Sequence, residues 1–266
     1  MPCLRKYSNV VRNNAMTLTD EYINQNIWRN WTSYIEALPI KDTDIILDLG
    51  CGTGHVSKLL SEHVLKVISM DANAKLLDEA KMINNKSNVE YLKQDLRNIS
   101  ESELPVVDGI WTSFVAAYFP DFSSVLKSWL KFLKPDGWIA VVEINDLFAH
   151  FPLNVSTYES FKEFYREERN NNHYDYEMGS KLVKFLQDES LSIIVHESKY
   201  DKELSFNGPA EEQISKAWEN RFNRLTALQE FFGKEKYSDI KLEFLDCLTK
   251  ETHTCKAKVT FVVAKK

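Results

Sequence analysis

The sequence predicts a doubly wound α/β fold, a mostly parallel sheet of seven strands with helices on both faces. Three observations carry this. Short apolar, β-branched runs alternate with helix-period stretches through the first half of the chain. Most of those runs are mainly apolar rather than strictly alternating, as strands buried on both faces are. Finally, three of only 8 glycines fall within five positions, directly behind the first such run.

Taken in order, strands are expected at 44–49, 65–70, 89–92, 106–112 and 138–144, with helices between them at 56–62, 74–83 and 121–133. Ahead of the first strand, 19–38 reads as one amphipathic helix weighted by Tyr22, Trp28, Trp31, Tyr34 and Ile35. After Ile144 the composition shifts. Residues 146–178 are rich in aromatics and charge, with a helix around 158–168. A helix at 180–187, a strand at 192–199, helical sequence over 209–250 and a closing strand at 256–263 complete seven strands. Neither late insertion holds enough apolar residues for a core of its own. The chain therefore reads as one domain: an N-terminal helical lid segment (1–40), a ligand-binding core (41–145), and two helical insertions (146–178 and 205–250) that cap it.

The 266 residues carry 33 Lys and Arg against 39 Asp and Glu, a net charge of −6, which disfavours a nucleic-acid partner held by phosphate neutralisation. No apolar run approaches the roughly 18 residues of a membrane helix, and the N-terminus has no apolar signal region. Cys3, Cys51, Cys247 and Cys255 form no CxxC pair, as suits a reducing compartment. A soluble cytoplasmic protein without membrane contact is expected.

The glycine cluster is Asp48-Leu49-Gly50-Cys51-Gly52-Thr53-Gly54, following Ile45, Ile46 and Leu47 and opening a helix. Glycine there permits positive φ and lets a ligand approach the backbone. A tight turn needs one glycine, not three. A dinucleotide fingerprint would place its third glycine at position 55, which is His55, and no Gly-Lys-Ser/Thr follows for a P-loop. Asp71 ends the second strand 21 residues after Gly50, where a carboxylate, with Ala72 beside it, can accept both ribose hydroxyls of a nucleoside. As a helix cap, Asp71 would have a merely structural role.

On the stretch Ile46–Gly54 (ILDLGCGTG), with Asp71 behind it and Leu133-Lys134-Pro135-Asp136-Gly137-Trp138 leading into strand five, the chain resembles the class I S-adenosylmethionine-dependent methyltransferases, closely over 44–144 and beyond that by topology. The resemblance implies a Rossmann-like sheet with its last strand antiparallel, and S-adenosyl-L-methionine as cofactor. It places Asp48, Gly50, Cys51, Gly52, Gly54, Asp71 and Ala72 around that cofactor. Asp95 and Leu96 fall near the adenine, and Ser113 lies in the strand-four loop beside the methionine moiety. It also implies that the N-terminal and late insertions meet above the transferable methyl.

The acceptor is less constrained, because fold and cofactor site serve many substrates. The strand-four loop reads Thr112-Ser113-Phe114-Val115. It lacks the Asn/Asp-Pro-Pro-Tyr/Phe tetrad of enzymes that methylate nucleobase or glutamine amines, and the carboxylate that metal-dependent catechol-type enzymes place there. No metal is expected; the six histidines show no HxH or HxxxH spacing. Aromatics crowd the segments that should close over the site, which describes an enclosed pocket for a small molecule methylated on oxygen or nitrogen. Tyr7, Trp28, Phe114, Tyr118, Glu143 and Asp146 are the candidate acceptor contacts. His150 and His173, in the first insertion, are the candidate general bases, although for each histidine taken alone a structural or solvent-exposed role is the commoner one. The alternative function is a non-catalytic S-adenosylmethionine-binding subunit of another methyltransferase. A dinucleotide oxidoreductase is disfavoured by the misplaced third glycine.

Overall fold

The computed structural model describes residues 18–99 and 104–266. The first helical segment is two helices, α1 (Leu18–Trp28) and α2 (Trp31–Ile35), rather than the single helix that the periodicity of 19–38 suggests. Asn30 leaves helical geometry (φ −80°, ψ 69°). The bend lets Trp31, Tyr34 and Ile35 bury against the sheet while α1 runs elsewhere.

Next come β1 (Ile45–Leu49), α3 (His55–Leu60), β2 (Lys66–Asp71), α4 (Ala74–Ile83), β3 (Val89–Lys93), β4 (Val107–Ser113), α5 (Phe122–Leu130) and β5 (Leu133–Asn145). The late region contains β6 (His150–Phe151), α6 (Val155–Asn170), α7 (Leu182–Asp188), β7 (Ser192–Lys199), α8 (Glu212–Arg224), α9 (Thr226–Phe232), α10 (Lys234–Thr249), β8 (Thr254–Cys255) and β9 (Lys258–Lys265). The helical stretch 209–250 is thus divided at Leu225 and at Gly233, whose φ of +71° no other residue type adopts cheaply.

The large sheet has seven strands in the order β3-β2-β1-β4-β5-β9-β7. β1 pairs in parallel with both β2 and β4, and β9 runs antiparallel to both β5 and β7. The last strand is therefore the antiparallel one, and it lies inside the sheet with β7 at the edge. The short β6–β8 ladder, two residues a side, had no signature in the sequence because strands that brief carry no periodicity.

Side chains alternate between two cores, as period-2 geometry requires. Ile46, Trp111, Ala140, Val142, Phe261 and Val263 face the layer holding α2, α3 and the late helices. Leu47, Leu49, Ile110, Ile139, Val141 and Val262 face the layer of α5 and α7, where Leu126, Trp129 and Leu186 are buried. Phe148, Phe161, Trp218, Phe222 and Phe244 pack into the first of these cores, so the late helices share a core with the sheet. No helix among the described residues is long and apolar enough to cross a membrane.

Candidate functional site

β1 has neighbours leading away in opposite directions, so a crevice opens at its carboxyl end, the usual ligand position in doubly wound sheets. The β1–α3 turn builds its floor. Gly50, Gly52 and Gly54 all have positive φ (80°, 53° and 74°), and Gly50 and Cys51 donate their N–H groups to the Met70 carbonyl. The three glycines differ in what surrounds them. A Cβ on Gly50 would meet Val115 Cγ2 at 2.2 Å, and one on Gly54 would meet the Tyr91 hydroxyl at 2.4 Å. A Cβ on Gly52 would meet nothing within 4 Å. Gly50 and Gly54 are packing glycines, and Gly52 presents bare backbone to open space.

That space is a cavity of about 780 Å³. Its wall includes Asp48, Gly50, Cys51, Gly52, Asp71, Ala72, Asp95, Leu96 and Ser113. Asp71, at the end of β2, ties the turn down: Oδ2 accepts the Gly52 N–H at 2.9 Å and Oδ1 accepts the Asn73 N–H at 2.8 Å. Each carboxylate oxygen keeps a lone pair after these bonds. Asn73, rather than Asp71, caps α4, its side chain accepting from Lys75 and Leu76. Asp48 is 2 % exposed and accepts the Ser57 hydroxyl at 2.5 Å; burial pushes its carboxyl up to about 7. Asp95 is exposed and held by the backbone N–H and guanidinium of Arg97, which lowers its pKa.

The β4 loop beside the turn and residues of α1 and α8 also line the cavity. Phe114 adopts φ +56°, a strained value for a bulky residue, while its N–H bonds the Val142 carbonyl. The Arg29 guanidinium lies over the Phe114 ring, 4.3 Å from its centroid. Tyr22, Phe114, Tyr118, Tyr174, Arg29, Arg221, Arg224 and Leu225 complete this part of the cavity wall. The arginines hold α1 down. Arg29 pairs with Asp201 at 2.7 Å and with Glu203 at 3.5 Å, Arg221 pairs with Glu203, and Arg224 pairs with Glu21. Asp201 and Glu203 are essentially fully buried.

The other candidates from the sequence are distributed differently. Gly54 packs on Tyr91 beneath the turn and does not face the cavity. Trp28 lines a smaller cavity of about 400 Å³ between α1 and α8. Glu143 is fully buried behind the site, where its carboxylate accepts the N–H groups of Ala117 (3.1 Å) and Ile144 (2.9 Å); burial raises it to about 7. It anchors the Ala116–Tyr118 turn from behind instead of touching the cavity. Asp146 (φ +61°) accepts the Tyr158 hydroxyl at 2.6 Å and is also outside the cavity wall. Tyr7 lies outside the described residues.

Neither candidate general base reaches the cavity. His150 has no exposed surface: it sits on β6, shares a hydrogen bond with His253 at 3.0 Å and faces Cys255 Sγ at 3.6 Å. The short β6–β8 ladder turns His150 into the core, and burial drives its pKa well down. His173 is on the surface beside Glu168, at 3.2 Å. Their placement in an aromatic-rich insertion after strand five suggested otherwise; the chain turns at Asp146 and carries both away. What sequence reasoning missed is the arginine wall. Arg29, Arg221 and Arg224 meet their partners 172, 18 and 203 residues away, so no local pattern marks them. Among the described residues no group of three or more His, Cys, Asp or Glu side chains could hold a metal ion.

Residues 47–141 match a family described as the methyltransferase domain. The chain is 31% identical over 106 residues to a trans-aconitate 2-methyltransferase of Azoarcus sp. (strain BH72), covering 39% of this chain and 40% of that protein. It is 33% identical over 126 residues to a demethylmenaquinone methyltransferase of Lactobacillus johnsonii, covering 45% of this chain and 50% of that protein. It thus spans half or less of the length of these two curated relatives. Among solved structures, a coclaurine N-methyltransferase bound to N-methylheliamine and S-adenosylhomocysteine superposes with a TM-score of 0.55 at 16% identity, over 93% of this chain and 73% of that one. At that identity the likeness concerns the fold.

Proposed function

We propose, from the premise that residues 47–141 form a class I S-adenosylmethionine-dependent methyltransferase domain, that this protein binds S-adenosylmethionine at the end of β1 and β2 and transfers its methyl group to a small-molecule oxygen or nitrogen acceptor. The observation that carries the reading is Gly52. Its backbone is bare toward the cavity, and its N–H is fixed by the Asp71 carboxylate, which keeps acceptor capacity for a ribose diol. The residues present fit the cofactor. Gly50, Cys51 and Gly52 would lie along its methionine and ribose portions, Asp71 would accept the ribose hydroxyls, and Asp95 with Leu96 would border the adenine.

S-adenosylmethionine supplies a methyl already activated on a sulfonium, so alignment and exclusion of water are what the chain must provide. The glycine turn, held by Met70 and Asp71, fixes the position of its backbone. Helix α1, clamped by Arg29, Arg224 and Gln25 to the late segments, covers the crevice from one side, and the Ala116–Tyr118 turn, anchored on Glu143, covers it from another. In this reading α1 and the late helices form the cap. With no histidine on the described cavity wall except His55, at the start of α3, the acceptor enters in a form that needs positioning more than deprotonation by imidazole.

A metabolite extract incubated with methyl-labelled S-adenosylmethionine tests the activity. Label appearing in small-molecule products, and lost in an Asp71→Ala variant, supports it; a protein that binds the cofactor but labels nothing, alone or in extract, indicates a binding subunit.

A further inference from the structure

The cavity wall carries groups of both charges. Asp48, Asp71 and Asp95 lie on the strand-end side, whereas the cap side presents the guanidinium groups of Arg29, Arg221 and Arg224. Glu21 is the acid among them on the described wall, while Asp201 and Glu203 are buried behind it. The three arginines differ in how much they have already committed. Arg29 meets both Asp201 and Glu203 and stacks on Phe114; Arg224 meets Glu21. Arg221 meets Glu203 through one terminal nitrogen and lies over the Trp218 ring, 5.2 Å from its centroid, with its Nε closed off from solvent. The Arg221 side chain is 20 % exposed and lines the cavity, so the donors open to a ligand are the N–H groups of its terminal nitrogens that Glu203 does not use. It also sits among phenols. Burial raises Tyr22, Tyr118 and Tyr174 above the usual tyrosine range, and the Arg221 charge opposes that rise in all three. Tyr118 and Tyr174 meet edge to face at 4.9 Å.

We propose that the acceptor carries a carboxylate, which Arg221 binds on the cap side of the cavity among Tyr22, Tyr118 and Tyr174. This rests on the methyltransferase reading and narrows its acceptor class. The planar fork matches a carboxylate in two parallel hydrogen bonds. An ammonium at the same place would meet the Arg221 guanidinium, a like charge, in place of a hydrogen-bond acceptor. A neutral acceptor would leave the Arg221 donors unmet in a partly desolvated site, where unmet donors are costly. The aromatic rings beside it give the rest of the acceptor an apolar surface.

Binding is measured by calorimetry on the full chain saturated with S-adenosylhomocysteine, using two probe series: benzoate, benzyl alcohol and benzylamine, and hexanoate, hexanol and hexylamine. In at least one series the carboxylate binds about tenfold or more tightly than its neutral and cationic counterparts. Arg221→Gln removes that preference, weakening the carboxylate by about 10- to 100-fold with S-adenosylhomocysteine affinity unchanged. Arg221→Lys loses less, because it keeps the charge without the fork. Equal affinity within both series, preference for an amine, or no carboxylate binding overturns the proposal, and the unmutated chain alone decides these. An equal loss of S-adenosylhomocysteine affinity in Arg221→Gln also overturns it, since the guanidinium would then hold the cofactor's own carboxylate. Failure of the unmutated chain to bind S-adenosylhomocysteine would instead strike the methyltransferase reading beneath it.

Discussion

Asp71 and Gly52 are joined by a hydrogen bond of 2.9 Å from the glycine N–H to the carboxylate, across 19 residues of sequence. That bond fixes the one loop glycine whose backbone is bare toward the cavity to the one carboxylate at the end of β2. Two features that are separate motifs in the sequence are a single device in the fold.

Asp71→Ala removes the anchor of the turn and, with it, the carboxylate proposed to accept the ribose hydroxyls. Losing hydrogen bonds to a charged group costs about 1.5–3 kcal/mol, so S-adenosylmethionine affinity should fall by roughly 10- to 100-fold. Calorimetry on the folded variant measures this, and an unchanged affinity would remove Asp71 from the site.

The loop glycines should fail in different ways. Gly54→Ala drives a methyl into the Tyr91 ring and also requires an alanine at φ +74°, so the loss should appear mainly as a lower unfolding midpoint. Gly52→Val has room in the cavity, but its side chain occupies cofactor space and its φ of +53° is unfavourable for a β-branched residue. Its cofactor affinity should collapse while the fold loses about 1–2 kcal/mol. Equal stability losses in the two variants, with binding retained in Gly52→Val, would contradict this assignment.

His150 and His253 should make the fold acid-sensitive. The His253 Nδ1–H bonds the Gly208 carbonyl, which leaves its Nε2 to accept from His150 Nδ1–H, so both rings are neutral in the fold. Burial holds both pKa values below the ordinary 6.5, His150 by the greater margin. The unfolded chain therefore binds the extra protons first, and this contribution to stability is complete above about 6.5 and lost progressively as pH falls below it. Urea unfolding at stepped pH should show a shallower acid loss in His150→Phe than in the unmutated chain. The variant should keep its cofactor affinity, since His150 does not reach the cavity; parallel pH profiles would refute the buried-pair account.

Glu203 holds the cap. It is 1 % exposed and serves Arg29, Arg221 and Gln25. Removing one member of a buried charge cluster leaves the others uncompensated, and Glu203→Ala should cost about 3–5 kcal/mol. Limited proteolysis should then cut first in α1, the element this cluster fastens. A variant with unaltered stability and protection would show that α1 is held by other contacts.

The legible part of this protein was the part built from local pattern. Strands β1, β2, β4 and β5 come from apolar runs that are buried in the sheet, and the glycine turn from residues at positive φ that other types adopt only at a cost. Helix α4 lies where its periodicity puts it, at Ala74–Ile83. Illegible were features that depend on distant partners. The break at Asn30 follows from Trp31 and Tyr34 finding Trp111 and Phe261 on the sheet. The fate of His150 follows from β8, about a hundred residues on. Position near the end of strand five suggested Glu143 and Asp146, yet one turns behind the site and the other pairs with Tyr158 and Lys162. The arginine wall had no local signature at all.

Calorimetric titration of the full chain with S-adenosylhomocysteine, and separately with NAD, tests the central claim most directly. A cavity built by Gly52 and Asp71 for S-adenosylmethionine predicts saturable binding of S-adenosylhomocysteine at one site per chain, abolished or strongly weakened in Gly52→Val, and no measurable heat with NAD. Binding of NAD in place of S-adenosylhomocysteine, or of neither by the folded chain, would contradict it.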